Sequence, residues 1–115
     1  MTDASDLARE GRTAELIELI DRGLSVNSVD AEGNSLLLLA AYRGQTETLQ
    51  ALIRKGADVN LRNSGNQSAI AGAIFKGEDQ IVRALVAAGA DLDSGTPSAR
   101  VAAQMFGRGH LLVQV

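Results

Sequence analysis

The side chains best suited to chemistry in this chain are its rings. Tyr42, Phe75 and Phe106 are the whole aromatic stock, and each stands within two positions of a glycine: Gly44, Gly77 and Gly107. Tyr42 and Phe75 are 33 residues apart, and a cation follows each, Arg43 and Lys76. Rings and guanidinium groups dominate protein interfaces because they desolvate a large area while losing few side-chain rotamers. The chemistry open to this set is recognition, with Met105 taking the place of Phe75 in the last unit. A second reading is structural, with the rings packing between neighbouring elements and thickening the core. Replacing Tyr42 and Phe75 by alanine separates the two. Loss of partner capture with intact helical signal marks the first reading, and general unfolding marks the second.

Reactive groups are sparse. There is no cysteine, which excludes disulfides, thiolate metal sites and thiol nucleophiles. His110 is the only histidine, and a zinc site or an acid–base pair needs further ligands or an orienting partner on rigid structure. Gly107-Arg108-Gly109 lacks the later glycine and the preceding strand of a dinucleotide loop. Glu47, Glu78 and Asp79 fall at expected helix starts, where the helix dipole accounts for them without catalysis. The expectation is therefore a protein with no catalytic residues, no metal and no cofactor. An enzyme would need a pocket that joins Tyr42, Arg43 or Lys76 to a carboxylate such as Glu10 or Glu32.

Composition narrows the partners. With 115 residues, 45% of them hydrophobic and 22% charged, the chain has the make-up of one soluble domain. Only 3% is aromatic, so Ala, Leu, Ile and Val must fill the interior, which suits a thin stacked array of closely approaching helices. The net charge of −3 lacks the basic excess of a nucleic-acid binder. The opening MTDASDLAREG is acidic where a secretory leader would be basic and then apolar. The longest apolar run, Leu36 to Tyr42, is far short of the ~20 residues of a membrane span. Neither nucleic acid nor membrane is expected as a partner, and the expected location is the cytoplasm.

The elements that must position the rings repeat. Gly23, Gly56 and Gly89 are spaced by 33 residues, as are Gly11, Gly44 and Gly77, the helix-opening Thr13, Thr46 and Asp79, and the turn-closing Asn27, Asn60 and Asp93. In the first unit Leu7 and Ala8 form a short apolar stripe with Ala4. Thr13 is then placed to cap a helix whose buried face is Leu16, Ile17, Leu19 and Ile20. In the second, Ser35 caps a helix containing Leu37, Leu39, Ala40 and Ala41, and Thr46 caps one with Leu49, Leu52 and Ile53 inside. The third repeats this with Ser68, Ile70, Ala73 and Ile74, then Ile81, Val82, Leu85 and Val86. The fourth keeps register only if its loop is three residues shorter, which makes Ser98 the cap and sets aside Thr96-Pro97. Its second helix would run from near Gly109 to Val115 and expose Leu111, Leu112, Val113 and Val115.

This period, with the turn Gly56-Ala57-Asp58-Val59-Asn60, resembles the ankyrin repeat family, whose unit is a β-turn followed by two antiparallel helices. The resemblance implies an all-α ankyrin-repeat solenoid of three and a half to four stacked helix-turn-helix repeats joined by finger loops. It forms a single domain over 1–115, with units at roughly 1–29 (an N-terminal cap), 30–62, 63–95 and an incomplete 96–115. The family's Thr-Pro-Leu-His helix start is missing: Ser35-Leu36-Leu37-Leu38 and Ser68-Ala69-Ile70-Ala71 stand there. Without those histidines, a hydrogen-bond link between neighbouring turns is lost.

The function implied is non-catalytic protein–protein interaction through a concave surface of turn tips and first helices. On that surface would lie Tyr42, Arg43, Phe75, Lys76, Met105 and Phe106, with Glu32, Asn34, Arg62 and Gln67 from the turns. The partner implied is another protein. The alternative is a self-associating structural protein, or a fragment of a longer one, that uses the apolar end from Leu111 to Val115; the chain would then be a monomer or a weak self-associate.

Overall fold

Gly44 and Gly77 sit at φ 68° and 74°, a left-handed conformation that side chains disfavour, and each stands between two helices. The computed structural model, which describes residues 3–112, repeats this break along the chain. Its helices are α1 (Ala4–Glu10), α2 (Thr13–Asp21), α3 (Leu36–Tyr42), α4 (Thr46–Arg54), α5 (Ala69–Lys76), α6 (Asp79–Ala87) and α7 (Ala99–Phe106). A 3₁₀ turn, Gly109–Leu112, follows. Among the described residues there is no strand, and an isolated bridge joins Val29 to Ser35.

The helices form two rows. Each first helix packs on the next, α1 on α3, α3 on α5 and α5 on α7, while α2, α4, α6 and the 3₁₀ turn make the second row. Small residues allow the close approach in the first row: Ala40, Ala41, Ala69, Ala73, Ala99 and Ala103 are all essentially inaccessible. Leu16, Leu49, Leu52, Ile81 and Leu85 are fully buried from the other row. Each such side chain contributes about 1.5–3 kcal/mol. None of the described helices is long and apolar enough to cross a membrane.

Ser35, Ser68 and Ser98 cap the first helices, their Oγ atoms accepting from the backbone N–H of Leu38 at 3.1 Å, Ala71 at 3.2 Å and Val101 at 3.2 Å. Ser98, and not Thr96-Pro97, thus opens α7, as the shortened loop requires. The second helices are different from expectation. Thr13 and Thr46 are first helical residues, and the cap positions belong to Arg12 and Gln45, neither of which makes a side-chain cap. Two of these polar groups bridge repeats instead: Gln45 Nε2 donates to the Arg9 carbonyl at 2.9 Å, and the Thr13 and Thr48 hydroxyls pair at 2.7 Å.

Two expected faces also change. In α2 only Leu16 is fully buried, and Leu19 is 40% exposed because it points away from α1 and α4, the helices on which α2 packs. At the other end the chain forms a tight 3₁₀ turn against α6 and α7, which drives Leu111 into the core at 2% exposure and leaves Leu112 half-buried. Leu111 is therefore not part of an open apolar end. Val113 and Val115 lie outside the described residues. The Arg108 guanidinium, just before this turn, bonds the Asp79 carboxylate.

The turns are stitched one repeat to the next. Asn27 Oδ1 accepts from the Asp58 amide at 2.8 Å, and Asn60 Oδ1 from the Asp91 amide at 2.7 Å. At the finger tips the Ser64 amide donates to the Glu32 carbonyl at 3.0 Å, and the Thr96 amide to the Asn66 carbonyl at 2.8 Å. Asn63 Nδ2 reaches Asn34 Oδ1 at 2.8 Å, and Asn66 Nδ2 reaches Thr96 Oγ1 at 2.9 Å. Asparagines thus link the turns where the family's histidines are missing.

Candidate functional site

A glycine inside a helix costs about 1 kcal/mol relative to alanine, so Gly72 in the middle of α5 needs a reason. A Cβ there would overlap Cε1 of the Tyr42 ring. The tyrosine of one repeat is seated directly on the backbone of the next, half-buried, with its rim open. One turn further along α5, Phe75 stands 66% exposed and meets the Phe106 ring edge to face, with centroids 5.5 Å apart and planes at 83°. Such a pair adds about 0.5–1.5 kcal/mol beyond its buried area. Met105 is 67% exposed beside it. Tyr42 packs between repeats, as the structural reading expects, while Phe75, Phe106 and Met105 form an open apolar patch.

These residues wall a groove of about 520 Å³ across α3, α5 and α7, within the range of ordinary ligand sites. Its floor is Ala71, Gly72 and Ala102, and its far wall is Gln67, Thr96 and Pro97. Lys76 is the one charged residue of the lining. Burial pushes the Tyr42 hydroxyl above its ordinary pKa, which keeps it a neutral hydrogen-bonding group. Neither Glu10 nor Glu32 lines the groove with Tyr42 and Lys76. Among the described residues no group of three His, Asp or Glu side chains is placed to hold a metal ion, and His110 is exposed on the 3₁₀ turn.

Six of the residues singled out by sequence meet here: Tyr42, Gln67, Phe75, Lys76, Met105 and Phe106. Four others do not line the groove. Arg43 is exposed at the C-cap of α3, and Arg62 and Glu32 are exposed in the turns. Asn34 is part of the turn itself, donating to Asp30 at 3.2 Å and accepting from Asn63. Asp30 is the electrostatic centre of that turn. Burial pushes its carboxyl up, but hydrogen bonds from the Asn34 backbone and side chain and the Glu32 amide, with the Arg9 charge, outweigh burial and hold the pKa below the ordinary value. Gly72, Ala102 and the Thr96-Pro97 wall were missed by sequence reasoning. The interruption of α5 by a glycine was the available signal.

Comparison with known proteins agrees with this geometry. A protein-family model described as ankyrin repeats (3 copies) matches residues 5–96. The crystal structure of the human ASB11 ankyrin repeat domain matches with a TM-score of 0.73 and 28% identity, over 80% of this chain and 42% of that one. The chain thus spans less than half the length of that domain. No curated protein sequence matches. Two stacked helical rows, left-handed glycine breaks at a 33-residue interval from Gly11 to Gly77 and a family match over most of the sequence lead to one assignment: the chain belongs to the ankyrin repeat family.

Proposed function

We propose that this chain is a non-catalytic protein-binding module that grips its partner in the groove between the ends of α3, α5 and α7. Ankyrin repeats are generally protein–protein interaction modules, and the fold is typically non-enzymatic. The observation that carries the reading here is the open apolar patch. Phe75 and Met105 are each about two-thirds exposed, Phe75 at the end of an otherwise buried α5 and Met105 near the end of α7, and solvent-facing rings and thioethers at helix ends mark contact surfaces. Turn tips beside the groove widen the surface on offer, with Glu32, Asn34 and Arg62 at its margin and Arg43 at the end of α3.

Affinity capture from the native source tests the reading. Phe75→Ala combined with Met105→Ala removes mostly exposed atoms together with the Phe75–Phe106 contact, so the helical circular dichroism should stay close to the parent's and the melting temperature should fall only slightly. The partner recovered by the parent should be lost by the double variant. Equal recovery would overturn the groove as the contact surface.

A further inference from the structure

The lining of the groove carries positive charge only, although the Glu78 carboxylate lies outside it against Gly44. The chain as a whole is acidic, with 14 carboxylate residues against 11 basic ones, yet α3 (LLLLAAY), α5 (AIAGAIFK) and α7 (ARVAAQMF) contain no Asp or Glu. Lys76 lines the groove, and Arg43 occupies the same position one repeat earlier, at a helix-to-helix spacing of about 8–10 Å. Neither forms an ion pair among the described residues, whereas Arg9, Arg12, Arg22, Lys55, Arg100 and Arg108 all do. The other cations without an ion pair there, Arg54, Arg62 and Arg83, do not line the groove.

The polar groups of the wall point the same way. Gln67 Oε1 is occupied by Asn63 Nδ2, which leaves its amide N–H₂ to donate, and Thr96 Oγ1 accepts from Asn66 Nδ2, which leaves its own hydrogen. With Lys76, the lining offers donors and positive charge around an apolar floor, and no carboxylate.

From this complementarity we infer that the groove takes a short acidic–apolar peptide: an aromatic or branched aliphatic anchor over Gly72, between Tyr42 and Phe75, with a carboxylate near it that meets Lys76 and reaches toward Arg43. This rests on the protein-binding reading and specifies the partner's chemistry. Opposite charge across a rim sets partner choice and encounter rate, while the buried anchor sets the lifetime of the complex.

Selection of random peptides displayed on phage against the full chain tests it, followed by fluorescence anisotropy with synthetic copies of the peptides selected. The expected winners carry Asp or Glu within a few residues of Phe, Trp, Tyr, Leu or Ile. Lys76→Glu should weaken them by about ten-fold or more, rising salt should weaken them progressively, and Arg83→Ala should leave them unchanged. Basic or uncharged winners, or indifference to Lys76→Glu, overturn the acidic partner. If such winners still lose affinity on Phe75→Ala, the groove stands as a protein-binding site with a different partner chemistry. If Phe75→Ala has no effect either, the protein-binding reading fails with it. No winner at all, with dimers in light scattering that Phe75→Ala abolishes, assigns the groove to a second copy of the chain and also overturns the inference.

Discussion

The first and second helices of a repeat are of similar length, yet α3 buries six of its seven residues and α4 only four of nine. Inside the first row, α3 and α5 are enclosed by neighbours on both sides and by the second row behind. The second row keeps a wet face, along which the charged side chains are spread. The enclosed α3 and α5 carry no carboxylate and open only at their last turns, whereas the terminal α1 keeps Asp6 and Glu10. Tyr42, Phe75 and Phe106 stand at the ends of α3, α5 and α7, and the second row packs behind those helices.

This contrast can be broken most severely in the core. Leu38→Ala in the first row and Leu52→Ala in the second both delete a fully buried side chain, and each should cost about 2–5 kcal/mol in urea unfolding. Leu38, on the helix that buries more of its residues, should lie at the upper end, and a smaller loss there than at Leu52 would contradict the difference between the rows. Gly72→Ala comes next. Its methyl must displace the Tyr42 ring, for a loss of about 1–3 kcal/mol that a second change, Tyr42→Ala, should partly restore. If Gly72→Ala instead stabilises the fold, as it would on an uncrowded helix, the seating of Tyr42 on α5 is wrong.

Capping separates the rows more gently. Ser68→Ala should cost about 1 kcal/mol, because its Oγ holds the Ala71 amide, while Thr46→Ala should change stability by less than about 0.5 kcal/mol. Equal losses would show that both rows are capped alike. The smallest effect concerns the turn that feeds α3. The Asp30 carboxyl sits below its ordinary pKa when folded, so its contribution is complete above about pH 4 and is lost as pH falls through the folded value. Asp30→Asn should flatten that acid limb of the melting temperature, and an unchanged limb would remove Asp30 from the account.

Much of this was legible because the features involved are local. Glycine breaks, serine caps and apolar stripes each depend on a few neighbouring residues, so the repeat and its inner faces could be read from spacing. The errors arose where a neighbouring repeat intervened. Thr13 and Thr46 have the right residue type for caps, but the chain enters those helices one residue earlier, and the side chains of Gln45 and Thr48 at the start of α4 reach back to the preceding repeat. Leu111 looked unprotected because its shelter between α6 and α7 depends on a 3₁₀ turn that no periodicity announces. The groove was half visible. Its rings stood out by type, whereas its floor is made of alanine and glycine, which are conspicuous only once the ring that rests on them is seen.

The stitching of the turns has a kinetic corollary. Asn27 to Asp58 and Asn60 to Asp91 each span 31 residues, and the helix rows touch only between successive repeats, so docking any one repeat closes a loop of about the same length as docking any other. Assembly can start at any seam and spread as a zipper does. A lengthened chain carrying a second copy of residues 30–62 should refold in stopped-flow mixing no more slowly than the parent, because the extra repeat adds seams without adding any longer search.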